Sequence, residues 1–321
     1  MRSIGAALLA AIAIAALAGP VLAPYDRSQQ FRDQLFAPPM RIRFFDEAGQ
    51  PRAPFVYRWR LVDRLERRYE EDRAQPLTLE WFSGGRLLQA PGGVPLLLFG
   101  ADSFGRDQLT RWLWGARTSL AVALLATAGA LLVGTVIGGI AGLASEALPS
   151  FDEGLMRITE LVLVLPAIYV MLALRAALPL VLPPTAIFLL LVVILTLVGW
   201  PHIARGVRAI VIVEVREEYA IAAHALGATR TRVLFRHLLP AAGGFLRGQA
   251  VIVLPAFIVA EATLSYVGFG FPDTVPSWGT MLQEASNITT LAQFPWLLSP
   301  AVGIFLVVFG ANLLLETRET R

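Results

Sequence analysis

The sequence predicts an all-α polytopic membrane protein with six transmembrane helices, interrupted between the first two by a small mixed, β-containing insertion. Three observations predict it. Of 321 residues, 56% are hydrophobic and 16% charged, with a mean hydropathy of +0.62, whereas an ordinary soluble domain carries about 25% charge. Apolar runs of roughly 20 residues, the length of helix that crosses a hydrocarbon core about 30 Å thick, recur along the chain. Between the first two runs lies a long polar stretch in which apolar and charged residues alternate as strands do.

The first apolar run, 4–23, makes residues 1–23 an anchor helix. With Arg2, its short apolar core and the ending Val21-Leu22-Ala23, it also fits a cleaved signal peptide. The second run, 120–143, is rich in Gly and Ala. The third, 158–178, contains Pro166, which removes a helix hydrogen bond and predicts a kink. A fourth follows Pro183-Pro184 and ends near Ile203, a fifth covers 245–267 and a sixth 296–315. Residues 119–321 thus form a five-helix core.

Arg in short loops sets orientation. The loop 204–244 carries Arg205, Arg208, Arg216, Arg230, Arg232 and Arg236, and the next loop carries no basic residue. The 204–244 loop is therefore expected in the cytoplasm, with both termini on that side and the module 24–118 outside. In that module Met40 to Phe45 and Pro54 to Trp59 read as strands joined by a turn at Glu47-Ala48-Gly49-Gln50-Pro51. Leu61 to Asp72 is helix-permissive, and Leu77 to Phe82 before Ser83-Gly84-Gly85 suggests a second hairpin. The module reads either as a docking surface for a solute-delivering protein or as a solvated insertion.

Composition also excludes chemistry. Every basic residue is Arg, so there is no Walker A lysine, no Schiff base and no Ser-Lys dyad. A net charge of +3 implies no nucleic-acid surface. With no Cys and three scattered His, His202, His224 and His237, no metal site is expected. No catalytic residue and no cofactor are expected. An intramembrane enzyme would need a Ser-His or paired-Asp constellation within spans, and none is found.

Within the polar loop, Glu217 to Pro240 reads EEYAIAAHALGATRTRVLFRHLLP. Glu218 to Leu226 favours helix, Gly227 breaks it, Thr229 caps a second helix, and Pro240 follows. Either this is an ordinary charged loop, or a helical pair whose small residues Ala222, Ala223 and Gly227 allow close approach by a partner. Gly134, Gly138 and Gly142 repeat every four residues on the second span, giving a small face for helix packing. Arg157 and Glu160 share a helical face and could pair with each other or meet Asp152 and Glu153. Arg157, Glu160, Arg175 and Glu261 are expected near interfaces, where long charged side chains snorkel, with contact along a solute path as the other reading of charge in a membrane. Gly268-Phe269-Gly270-Phe271 lacks the Lys and helix of a phosphate loop and reads as a flexible span exit.

The spacing of Ala222-Ala223, Gly227 and Leu239-Pro240 resembles the EAA loop of binding-protein-dependent ABC importer permeases, specifically the C-type subunit of dipeptide, oligopeptide and nickel systems. Three further stretches are similar to that family's motifs in the same order: Gly100 to Arg111 (GADSFGRDQLTR) with Gly115 to Leu120 (GARTSL), Glu261 to Gly270 (EATLSYVGFG), and Pro276 to Gly279 (PSWG). Ile221 departs from the motif's usual Glu, Ala101 from Thr, and Asn312 to Glu316 lacks the family's Gly. The resemblance implies an inner-membrane permease that forms the translocation path with a second, B-type permease. It implies two ATP-binding cassette ATPase subunits that grip the loop through Glu217, Glu218, Ala222, Ala223, Gly227, Arg236, His237 and Pro240. It also implies a periplasmic or lipid-anchored solute-binding protein. A membrane receptor or assembly protein, whose outer module binds a partner without transport, is the alternative.

Overall fold

A computed structural model of the chain describes residues 1–46, 49–82, 87–177, 179 and 182–315. The helices in order are α1 (Arg2–Leu17), α2 (Gly19–Leu22), α3 (Gln108–Ala147), α4 (Pro149–Val164), α5 (Ala167–Ala176) and α6 (Pro184–Glu214). After them come α7 (Glu218–Ala225), α8 (Arg230–Val233), α9 (Leu239–Ala241), α10 (Gly243–Tyr266), α11 (Trp278–Glu284), α12 (Ile288–Gln293) and α13 (Ser299–Leu315). A π-helical turn, Leu234–Leu238, joins α8 to α9, and a 3-10 turn, Pro295–Leu298, precedes α13.

Four of these segments are long and apolar enough to cross a membrane: α3, α6, α10, and the stretch Pro295–Leu315. The pair α4 and α5 adds a fifth if taken as one span, bent by 90°. Its break falls at Leu165 and Pro166, both with extended ψ, so the expected kink is a full interruption of the helix. The apolar α1 has 16 residues, short of the other spans. The fourth run does not end near Ile203. It continues to Glu214 through Pro201, because Ile203, Val207 and Val211, one turn apart, are all buried and prolong the packed face.

The backbone divides into two compact units. One comprises Ala7–Leu120 and Ser265–Val307. Its strands are β1 (Arg43–Phe45), β2 (Pro51–Asp63), β3 (Arg68–Thr78), β4 (Glu80–Trp81) and β5 (Leu88–Gln89), arranged as an antiparallel sheet β1-β2-β3 and an antiparallel pair β4-β5. Arg43 pairs with Phe55 across β1 and β2. Residues 47, 48 and 83–86, where the expected turns fall in part, lie outside the described residues.

The helix-permissive reading of Leu61 to Asp72 is corrected: this stretch is the end of β2, a turn, and the start of β3. Two forces favour the hairpin. Arg58 stands opposite Asp72 and Arg60 opposite Glu70, and opposite charges directly across strands contribute about 0.2–1 kcal/mol per pair. At the turn, the Asp63 carboxylate accepts from Leu65 N (2.7 Å) and Glu66 N (3.0 Å). These backbone bonds hold its pKa below the ordinary value. Under the sheet, Val56, Leu79, Leu96, Leu97 and Ala101 form the unit's buried core.

The other unit comprises Met1–Ala6, Ala121–Leu264 and the chain from Val308 onward. Here Gly134, Gly138 and Gly142 of α3 face α6. A Cβ placed on each would lie 2.7 Å from Ile203 Cβ, 2.3 Å from Ala204 O, and 2.7 Å from Val211 Cβ respectively. The order of these contacts makes α3 and α6 parallel, and any side chain larger than hydrogen would push the backbones apart.

Candidate functional site

The segment following α6 is built as two short helices around one glycine. Glu217, in extended conformation, precedes α7, and Tyr219 O–H donates to the Glu214 carboxylate at the end of α6. Burial, followed by that bond and the charge of Glu214, pushes the Tyr219 phenol up to about 12. The far end of α7 closes in a Schellman motif: Ala228 N donates to Ala223 O (3.0 Å) and Gly227 N to His224 O (2.9 Å). Gly227 sits at φ +87°, a left-handed conformation that costs an L-residue with a Cβ roughly 1–2 kcal/mol. Thr229 Oγ1 then accepts from Arg232 N (3.3 Å) and starts α8.

The pair is anchored on one side and bare on the other. Ala220, Val233, Leu234 and Leu238 are buried. Leu234 and Leu239 lie against Gly139 of α3. The Tyr219 and His237 rings stand 5.9 Å apart and link the two helices. Facing outward are Glu217, Glu218, Ala222, Gly227, Arg236 and Pro240, with Ala223 half-buried. Among them stand exposed apolar side chains: Ile221 at 58%, Phe235 at 67% and Leu226 at 89%. A soluble surface rarely gathers large apolar groups in this way unless something covers them.

Three expected charge placements change. Asp152 does not meet Arg157. It is clamped by Arg208 of α6, whose Nε lies 2.6 Å from Oδ1 and whose second nitrogen also bonds the carboxylate. Among the described residues Arg157 and Glu160 form no ion pair, since both side chains point away from packed surface. Arg175 and Glu261 do not snorkel: both are buried, and Arg175 Nη1 donates to Pro179 O (3.1 Å). That carbonyl lies just past the C-terminal end of α5, four residues on from Arg175, and gives the guanidinium an internal acceptor.

In the unit holding the sheet, residues 100–111 and the turn after α10 build a buried ionic cluster. Asp102 is fully buried. Its Oδ2 accepts from Arg106 Nε (2.6 Å) and Arg111 Nη1 (2.8 Å), and its Oδ1 accepts from Phe104 N (2.9 Å) and Arg106 N (2.8 Å). Both guanidiniums also reach Asp273, which is 47% exposed, at 2.9 and 3.3 Å. Two cations are thus matched by two anions.

Glu284 of α11 is a third acid here, accepting from Ser103 N (2.6 Å). Burial and the nearby charge of Asp102 push it up to about 7. Asp107, which accepts from Thr110 N (2.7 Å) at the start of α3, is also raised to about 7 by burial. Beside the cluster, Trp278 N donates to Ser119 Oγ (3.1 Å), and the Trp278 indole lies 5.6 Å from Trp112. The three motif stretches 100–111, 115–120 and 276–279 therefore converge. The sequence marked them by order, and the charges that join them escaped notice because Asp273 is 167 positions from Arg106.

The chain thus combines apolar helices long enough to cross a membrane with a polar helical pair that follows α6. The chain belongs to the family described as binding-protein-dependent transport system inner membrane component, which it matches over residues 134–317. Residues 2–39 match the N-terminal transmembrane domain of oligopeptide transport permease C. Similar relatives include the oligopeptide transport system permease protein OppC of Bacillus subtilis, 34% identical over 67% of this chain and 67% of that one. The dipeptide transport system permease protein DppC of Alkalihalophilus pseudofirmus is 36% identical over 67% of this chain and 68% of that one. A DppC of Bacillus subtilis is 34% identical over 67% and 65%. The family is one of ABC transporter permease subunits, not of catalytic enzymes.

Proposed function

We propose that this chain is the C-type permease subunit of an ATP-driven importer of dipeptides or oligopeptides. It forms the translocation path with a second, B-type permease and receives solute from a periplasmic or lipid-anchored binding protein. In this reading α1 with α2 and the α4–α5 pair complete six spans, both termini are cytoplasmic, and residues 24–118 lie outside.

The observation that carries the reading is the bare face of α7 and α8. Ile221 on α7, Leu226 at its C-terminal cap and Phe235 on the π-helical turn after α8 stand exposed on a segment that the Gly227 turn and the Tyr219–Glu214 bond fix to the end of α6. Two ATPase subunits, one per permease, would cover such faces, with Glu217, Glu218, Ala222, Ala223, Gly227, Arg236, His237 and Pro240 at the contact. Ile221, where the motif has Glu, makes this contact apolar. Because each ligand can shift a conformational equilibrium only by its differential affinity for the two states, ATP acts here through what it does to the grip on this loop. The relatives' peptide-transport names support the cargo.

The test is co-purification of the ATPase with the assembled transporter, and uptake of a labelled tripeptide by proteoliposomes, for the wild type and Gly227→Arg. Gly227 faces open space, so the substitution strains the turn and blocks the face without a clash inside the chain. Loss of both ATPase and uptake is expected, with Gly154→Arg, also in open space, as the control. Intact co-purification and uptake in Gly227→Arg would sink the assignment of the loop. Uptake of nickel but no peptide would overturn the cargo alone.

A further inference from the structure

We propose a binding site for the phosphate headgroup of an anionic membrane lipid, formed by Arg27, Trp114 and Arg117. Both guanidiniums lie over the Trp114 ring, Arg27 at 5.6 Å and Arg117 at 5.5 Å from its centroid. They are therefore no more than about 11 Å apart, and both are exposed. Among the described residues neither has a carboxylate within ion-pair distance, and the Trp114 indole N–H has no acceptor. The other arginines of this helical segment are handled differently: Arg106 and Arg111, close by in sequence, share two acids.

Placement argues for a lipid rather than a free ion. Arg117 precedes Leu120, where the apolar run of α3 begins, by three residues, about 4.5 Å along a helix. Arg27 follows the end of the apolar α1 and α2 by five residues. The ends of these helices are side by side, since a Cβ placed on Gly19 would lie 3.5 Å from Leu113. The three side chains thus stand where two apolar runs stop, one at the end of α2 and one within α3. At that depth Trp and Arg settle in the headgroup layer, with the ring against acyl carbons and the charges toward phosphate. Guanidinium, a rigid planar fork, suits phosphate oxygens, and the indole N–H adds one more donor.

The test is native mass spectrometry of the full chain in detergent, titrated separately with phosphatidylglycerol, phosphatidylcholine and inorganic phosphate. The wild type is expected to retain phosphatidylglycerol over phosphatidylcholine. That preference should fall about five-fold for Arg27→Gln or Arg117→Gln and about 25-fold for both. Arg58→Gln with Arg60→Gln, which removes the same charge from exposed β2 positions, should leave it unchanged. Equal loss in that control, equal retention of the two lipids by the wild type, or displacement of the lipid by inorganic phosphate would each overturn the proposal. A second measurement needs no Arg variant. Dibrominated phosphatidylglycerol should quench a tryptophan signal that disappears in Trp114→Phe, and dibrominated phosphatidylcholine should not; equal quenching by both lipids also overturns it.

Discussion

Asp102 and Asp273 bind the same two guanidiniums, yet their removal should have unequal consequences, because one is fully buried and the other is 47% exposed. In Asp102→Asn the carboxylate that receives Arg106 and Arg111 at 2.6 and 2.8 Å becomes neutral, leaving two buried cations facing one half-exposed anion. Breaking a buried pair in this way costs about 3–5 kcal/mol, mainly for the charge left behind. Asp273→Asn removes a partner that water can replace, which costs about 1 kcal/mol. At roughly 2 °C per kcal/mol for a chain of this size, the shifts are about 6–10 °C and about 2 °C. The assay is thermal unfolding of the purified full chain followed by tryptophan fluorescence, to which Trp112 and Trp278 beside the cluster contribute. Adding Arg111→Met to Asp102→Asn restores charge balance and should recover roughly half of the loss. If Asp273→Asn lowers the midpoint as much as Asp102→Asn, burial does not govern this cluster and the reasoning fails.

Two more outcomes follow from the geometry. Glu284 has a folded pKa of about 7 against an ordinary 4.5, so the folded state binds the proton more tightly. Stability should therefore fall as pH rises from about 4.5 to 7, by at most about 3 kcal/mol. Unfolding midpoints of Glu284→Gln measured across that range should fall less steeply than the wild type, with Asp107, also raised to about 7, supplying the rest of the fall, and should exceed the wild type at pH 8; an unchanged slope would exclude Glu284 as a source. On α3, Gly138→Ala drives a methyl to 2.3 Å from Ala204 O and should destabilise by about 1–3 kcal/mol. Gly154→Ala, with nothing within 4 Å on α4, should stabilise by about 0.5–1 kcal/mol. Thermal shifts of the same sign for both would contradict the close approach of α3 and α6.

What could be read from the sequence depended on the range of the forces involved. Apolar runs reveal helices because each residue reports its own hydropathy, and Gly227 and Thr229 announce a turn and a cap through local backbone chemistry. The continuation of α6 was hidden behind Pro201, Arg205 and Arg208, although Ile203, Val207 and Val211 already repeat every four residues. The β2–β3 hairpin was obscured for another reason. Glu70 and Asp72 look like helix-surface charges until they are set opposite Arg60 and Arg58, and register is a property of two strands. The ionic cluster lay further out of reach. Asp102 and Arg106 sit four apart within a motif, but Asp273 joins them only through the fold. Burial of Arg175 and Glu261 was likewise invisible, since position near the end of an apolar run says nothing about what packs around it.

The 31 residues of α6 make a rod about 46 Å long, against a hydrocarbon core of about 30 Å. Even tilted by 20°, it overshoots that core by roughly 13 Å. Headgroups occupy about 5–7 Å of this on one side, so the remainder is a stalk in water. The stalk is braced where it leaves the lipid, by the Arg208–Asp152 clamp and by Val207 and Val211 against the glycines of α3. On the proposed function, a push or pull on α7 acts at the tip of a lever whose fulcrum lies at the membrane surface, and small sideways displacements of the stalk become rotations of the apolar length in the lipid.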